Sequence, residues 1–146
     1  LKCFWLLDNT SATDIHFFDI RKDNLEIKQQ MFNWLYKENI DPREKLVDLN
    51  PEFNYNINDP LWEHIGKRDI TDCNVTWSLI NVVQNPDYII DLLDVIPASV
   101  YLSNIFDTDN DSSHLYKDYD ALQNALQNFR QRGGKVWLHN VDGFIK

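Results

Sequence analysis

Asp19 closes the apolar run Ile15-His16-Phe17-Phe18. A carboxylate at the end of an early strand is the group that accepts two hydrogen bonds from the hydroxyls of a ribose. The same residue there also caps the turn into a following helix, so the residue type admits both roles. In open parallel sheets ligands gather beyond the carboxyl ends of the strands. The residues after the other expected strands are polar as well: Asp69 after the short segment Trp62-Glu63-His64-Ile65, and Ser103, Asn104 and Asp107 after Val100-Tyr101-Leu102. Other chemistry is thinly supplied. His16, His64, His114 and His139 lack the i, i+4 spacing of a helical metal site. Asp107, Asp109 and Asp111 imitate the alternating acids of a calcium loop, yet Ser112 stands where the loop needs glycine and Asp118 where it needs a bidentate glutamate. Ser78, Ser99 and Ser103 lie outside any G-x-S-x-G elbow. Tyr55, Trp62 and Trp77 could stack on a planar or sugar ligand, but such residues more often belong to a core.

The elements that must carry these residues follow from periodicity. Asp14 to Ile20, Ala98 to Asn104 and Lys135 to His139 are short, rich in β-branched and aromatic residues and bounded by turn formers, which predicts strands. Their near-continuous apolar character suits parallel strands covered on both faces. A helix capped by Asp23 or Asn24 should carry Leu25, Met31, Phe32, Trp34, Leu35 and Tyr36. Asn85-Pro86 starts a second helix through Tyr88, Ile89, Ile90, Leu92 and Leu93. Leu122, Ala125, Leu126 and Phe129 fall at i, i+3, i+4 and i+7 in a third, which Gly133 should stop. The stretch from Leu46 to Trp77, with Pro51, Pro60 and several asparagines, reads mostly as loop, with Trp62 to Ile65 as a short strand. Alternation of strand and helix predicts the fold class: α/β, a doubly wound, mostly parallel Rossmann-like sheet with helices on both faces, in one domain over residues 1–146.

A chain of 146 residues with 43% hydrophobic and 13% aromatic residues can bury a core of its own. Its net charge of -9 repels a phosphate backbone, and the basic spots Lys67-Arg68 and Arg130-Gln131-Arg132 form no stripe, so nucleic acid is not expected as a partner. No run approaches the ~20 apolar residues of a membrane span and no signal-peptide pattern is present, which directs expectation to a cytoplasmic protein without membrane partners. Cys3 and Cys73 suit a reducing compartment rather than a zinc site or disulfide framework.

Three segments together resemble the class I S-adenosylmethionine-dependent methyltransferases. Ile15-His16-Phe17-Phe18-Asp19-Ile20 is similar to that family's second strand with its ribose-binding acid. Arg68-Asp69-Ile70-Thr71-Asp72 resembles the loop after its third strand, and Val100-Tyr101-Leu102-Ser103-Asn104-Ile105-Phe106 its fourth strand and the following loop. The resemblance implies S-adenosylmethionine as cofactor, with Asp19 and Ile20 at the ribose, Asp69 and Ile70 at the adenine, and Ser103 and Asn104 beside the transferable methyl group. His139 is then a general-base candidate, and a small molecule or a protein the acceptor. The family opens on a glycine-rich turn, whereas the four glycines here, Gly66, Gly133, Gly134 and Gly143, all follow Asp19. Two expectations follow: a first strand and its turn upstream of Leu1 in a longer protein, or a domain without that site. Beside the methyltransferase stand two alternatives, a noncatalytic α/β module for oligomerisation or assembly, and a nucleotide- or sugar-handling transferase on the same scaffold.

Overall fold

Ile15 and Phe17 alternate with His16 and Phe18, and Val75 and Trp77 with Thr76 and Ser78, so each segment can put a row of large apolar side chains on one face. In the computed structural model these segments are β1 (Asp14–Asp19) and β2 (Asn74–Leu79), paired in parallel from Asp14↔Asn74 to Asp19↔Leu79. The structure describes residues 1–47, 57–81, 85–95, 99–101 and 119–137. Its contacts divide the chain into two compact units, Leu1–Leu79 and Ile80–Lys146.

In the first unit, α1 (Lys2–Asp8) precedes β1, and α2 (Lys22–Phe32) runs on into a π-helical turn at Asn33–Glu38. Asp23 lies in the first turn of α2 rather than capping it: the helix starts at Lys22, and Asp23 pairs with Arg21 at 2.5 Å while helping to offset the helix dipole. The wider π turn lets three successive residues, Trp34, Leu35 and Tyr36, all face inward. It ends at Asn39, whose left-handed φ of 54° is tolerable for asparagine. A short helix α3 (Arg43–Val47) follows. The segment Trp62 to Ile65, expected as a strand, lies within and just after a 3-10 helix (Pro60–His64). Asp59 caps it by accepting from the Leu61 N–H at 2.9 Å, and the adjacent residues Leu61 and Trp62 are both buried. The strand lies further on, at β2, which begins inside the stretch expected to be mostly loop and runs two residues past it.

Phe4, Phe17, Phe32, Tyr36 and Trp77 form the aromatic centre of this unit. Phe17 and Trp77 stack at 4.3 Å across the β1–β2 pair, and Phe32 meets each edge-on, at 5.8 and 5.5 Å. The Tyr36 hydroxyl donates to Asp8 Oδ1 at 2.7 Å, with the Phe4 carbonyl 3.2 Å away, and accepts from the Gly66 N–H at 3.4 Å. The Lys67 N–H donates to Asp8 Oδ2 at 3.0 Å. Gly66 has a φ of +76°, and a Cβ there would meet Leu35 Cδ2 at 3.1 Å. Arg68 donates to the carbonyls of Leu7 and Ala12 and to Cys73 Sγ, joining the end of α1 to the amino ends of both strands.

In the second unit, α4 (Pro86–Val95) has proline at its first position, as expected, while the Asn85 side chain donates back to the Asn81 carbonyl at 3.0 Å. Strands β3 (Ser99–Tyr101) and β4 (Lys135–Trp137) pair in parallel, and α5 (Tyr119–Gln131) joins them in sequence. Leu122, Leu126 and Phe129 are buried on one stripe of α5. The helix stops as expected: the Gly133 N–H donates to the Arg130 carbonyl and the Gly134 N–H to the Phe129 carbonyl, both at 3.0 Å, with Gly133 at φ +94°. A Cβ on Gly134 would fall 2.3 Å from the Phe129 ring.

Two outcomes follow from these contacts. Tyr36→Phe should cost about 1–3 kcal/mol in urea unfolding, because Asp8 loses a partly buried donor. Burial first, and the Asp8 carboxylate second, push the Tyr36 hydroxyl pKa upward. The stability this contributes is therefore present below the unfolded value of about 10 and lost as pH rises beyond it, so the alkaline decline should be shallower in Tyr36→Phe. Gly134→Ala should destabilise by about 1–3 kcal/mol, since the added methyl group would force the buried Phe129 ring to shift; thermal unfolding of the variant measures it.

Candidate functional site

Two parallel strands have distinct ends, and the predicted site residues divide between them. At the carboxyl end of β1 stands Asp19, level with Leu79 at the end of β2. Residues 15, 17 and 19 of β1 share a face with their partners 75, 77 and 79, so Asp19 and Leu79 prolong the row whose earlier members pack in the aromatic core. At this end of the strand pair apolar side chains are uncovered: Ile20 is 36% exposed and Leu79 54%.

The Asp19 side chain is only 13% exposed and is held from two directions. Its Oδ1 accepts from the Arg21 N–H at 3.0 Å, the turn-capping contact that the sequence allowed for. Its Oδ2 accepts from Lys28 Nζ at 2.8 Å, reaching back from α2. A carboxylate offers about four acceptor positions, so among the described residues each oxygen has one in use and one left. The strand end thus combines a fixed carboxylate with the exposed side chain of its register partner Leu79 and that of Ile20, the next residue in sequence.

Asp69 and Ile70 lie at the other end. They precede β2, in the turn where the Cys73 N–H donates to the Ile70 carbonyl and the Asn74 N–H to the Thr13 carbonyl. Five residue steps of about 3.3 Å put the two strand ends roughly 17 Å apart. The structure therefore does not bring Asp69 and Asp19 together. The expectation that Asp69 follows a strand is corrected: it follows the 3-10 helix and leads into β2. Asp69 Oδ1 accepts from the Thr71 N–H at 3.0 Å, and that bond, with the Thr71 hydroxyl, holds its carboxyl below the usual range. Ile70 is half-buried against the core. Trp62 and Trp77, weighed as stacking surfaces, pack in or against that core, Trp77 on Phe17. Ser103, Asn104, Tyr55, His114, His139 and the acidic loop at Asp107, Asp109 and Asp111 lie outside the described residues.

Lys28 and Leu79 were missed by sequence reasoning. Leu79 was legible in the period-two alternation Val75, Trp77, Leu79. Lys28 carried no signal, since only the packing of α2 turns its ammonium toward β1. In the second unit a cleft of about 600 Å³ between α4 and α5 is lined by Ile90, Leu93, Asn124, Ala125 and Asn128, among others. None of the predicted site residues lines it. Among the described residues no group of three or more histidine, cysteine or acidic side chains could hold a metal ion, and no helix is long and apolar enough to cross a membrane.

No family model, curated protein or solved structure matches the chain. The Asp19–Lys28 pair, less exposed than an ordinary surface ion pair, should show a coupling of about 0.5–1 kcal/mol in a double-mutant cycle of Asp19→Asn and Lys28→Met followed by urea unfolding.

Proposed function

We propose that the chain is a Rossmann-like domain that binds S-adenosylmethionine through its nucleoside portion at the carboxyl ends of β1 and β2, and that it serves methyl transfer to a small-molecule or protein acceptor. The observation that carries this reading is the carboxylate of Asp19, fixed at a parallel strand end with Ile20 and Leu79 exposed beside it. Asp19 would accept from the ribose hydroxyls, and the two apolar side chains would take the adenine face. This moves the adenine contact away from Asp69 and Ile70. Strand pairing supports the scaffold. In the doubly wound order 3-2-1-4-5-6, strand 2 neighbours strand 3 and strand 4 neighbours strand 5; β1–β2 and β3–β4 are parallel pairs of that kind.

The residues present fit the nucleoside half of the cofactor; the glycine-rich turn that takes the other half in such folds is not among them. When bound, the cofactor supplies an electrophilic methyl group. The protein's part is to hold it in line with an acceptor, so orientation accounts for most of the catalysis. Ser103 and Asn104 remain the sequence-based neighbours of that methyl group. The distribution of glycines also favours a second reading, a noncatalytic α/β assembly module.

Isothermal titration with S-adenosylmethionine and S-adenosylhomocysteine separates the two. The expected result is saturable binding that Asp19→Ala weakens by about 1.5–3 kcal/mol, as for lost hydrogen bonds to a charged group, and that Asp69→Ala leaves unchanged. Absence of heat with either ligand favours the assembly module.

A further inference from the structure

The proposed ribose acceptor is held by a residue that neither the strand nor the following turn supplies. Lys28 sits nine residues beyond Asp19, on α2, and its side chain is 30% exposed, so the ion pair is neither sealed in the core nor free in solvent. A carboxylate left to itself turns readily about its last torsion, which is broad and two-fold. Here one oxygen is held by a backbone N–H and the other by an ammonium group on a different element. Two donors from two directions define the plane of the group, and the position left on each oxygen is then offered as a pair at fixed spacing. Two adjacent hydroxyls match such a pair; one hydroxyl uses half of it.

Building on the nucleoside reading above, we propose that Lys28 is a positioning residue that makes the site selective for a ligand bearing a vicinal diol. It acts through Asp19. Its ammonium carries three donors and spends one on Asp19 Oδ2. Removing it leaves the carboxylate held at one oxygen only, free to rotate out of the plane that serves both hydroxyls. The loss should fall on ligands with both hydroxyls and spare those with one.

The test is titration of the full chain with adenosine, 2′-deoxyadenosine and 3′-deoxyadenosine, for the unaltered protein and for Lys28→Met and Lys28→Arg. The expected result is a preference for adenosine over both deoxy ligands, of about tenfold or more. Lys28→Met should shrink that preference to within a few-fold by weakening adenosine alone, and Lys28→Arg, which keeps a cation of similar reach, should restore much of it. A merely structural role would lower the affinity for all three ligands together and leave the ratios intact; that outcome overturns the inference while leaving the nucleoside reading standing. Binding of none of the three by the unaltered chain overturns both. Circular dichroism of each variant distinguishes lost selectivity from lost structure, and Lys28→Gln, which keeps the stem and removes the charge, replaces Lys28→Met if that variant does not fold.

Discussion

Phe17 and Trp77 lie face to face across the β1–β2 pair, 4.3 Å between centroids and 11° from parallel, and α1, α2 and the π turn are fastened to that stack. Phe32 brings α2 against both rings, Phe4 brings α1 against Phe17, and Tyr36 carries the π turn onto Phe4 and Phe32. The stack also sets the register. In a strand a shift of one residue exchanges the two faces, so a one-residue slip would turn Trp77 to the face opposite Phe17 and leave the aromatic centre open. Because register is settled there, Asp19 comes level with Leu79 two residues later, and the chemistry at the strand end inherits its geometry from the core.

Polar contacts do a different task in this unit. Tyr36, Asp8 and Arg68 join segments that the aromatic rings do not reach: the end of α1, the turn at Gly66 and Lys67, and the amino ends of the strands. These bonds gather at the amino end of the sheet, where Asp69 also shapes a turn. At the carboxyl end, among the described residues, Asp19 is tied to Arg21 and Lys28, and the apolar side chains of Ile20 and Leu79 are exposed. The two ends therefore differ among the described residues, one tied by hydrogen bonds and one leaving Ile20 and Leu79 exposed.

Much of the secondary structure was legible in the sequence because it is written in local periodicity. Leu122, Leu126 and Phe129 with Gly133 specified α5, and the run from Ile15 to Phe18 specified β1. The misreadings have physical causes. In Trp62 to Ile65, aromatic and β-branched residues suggested extension, but Asp59 and Pro60 supply a cap and a first helical turn. In β2 the polar residues Thr76 and Ser78 break up the apolar run, and the neighbouring asparagines suggested a loop; a strand with one half-exposed face looks like that. α1 is seven residues long, too short for periodicity to speak. For the candidate site, Asp19 and Ile20 were legible because they end a recognisable strand. The separation of Asp69 from Asp19 was not, since it depends on which segment forms the neighbouring strand. Lys28 became visible only when α2 was packed.

The β1–β2 pair joins residues sixty positions apart, as the contact between Asn74 and Asp14 illustrates. Closing so large a loop costs chain entropy before the ladder returns anything, and parallel strands reached over such distances form late and slowly. During synthesis β1 leaves the ribosome well before its partner exists. Until then the apolar edge of Ile15, Phe17 and Phe18 has only α1 and α2 to shelter it, so the waiting time for Asn74–Leu79 sets how long the nascent chain is open to aggregation.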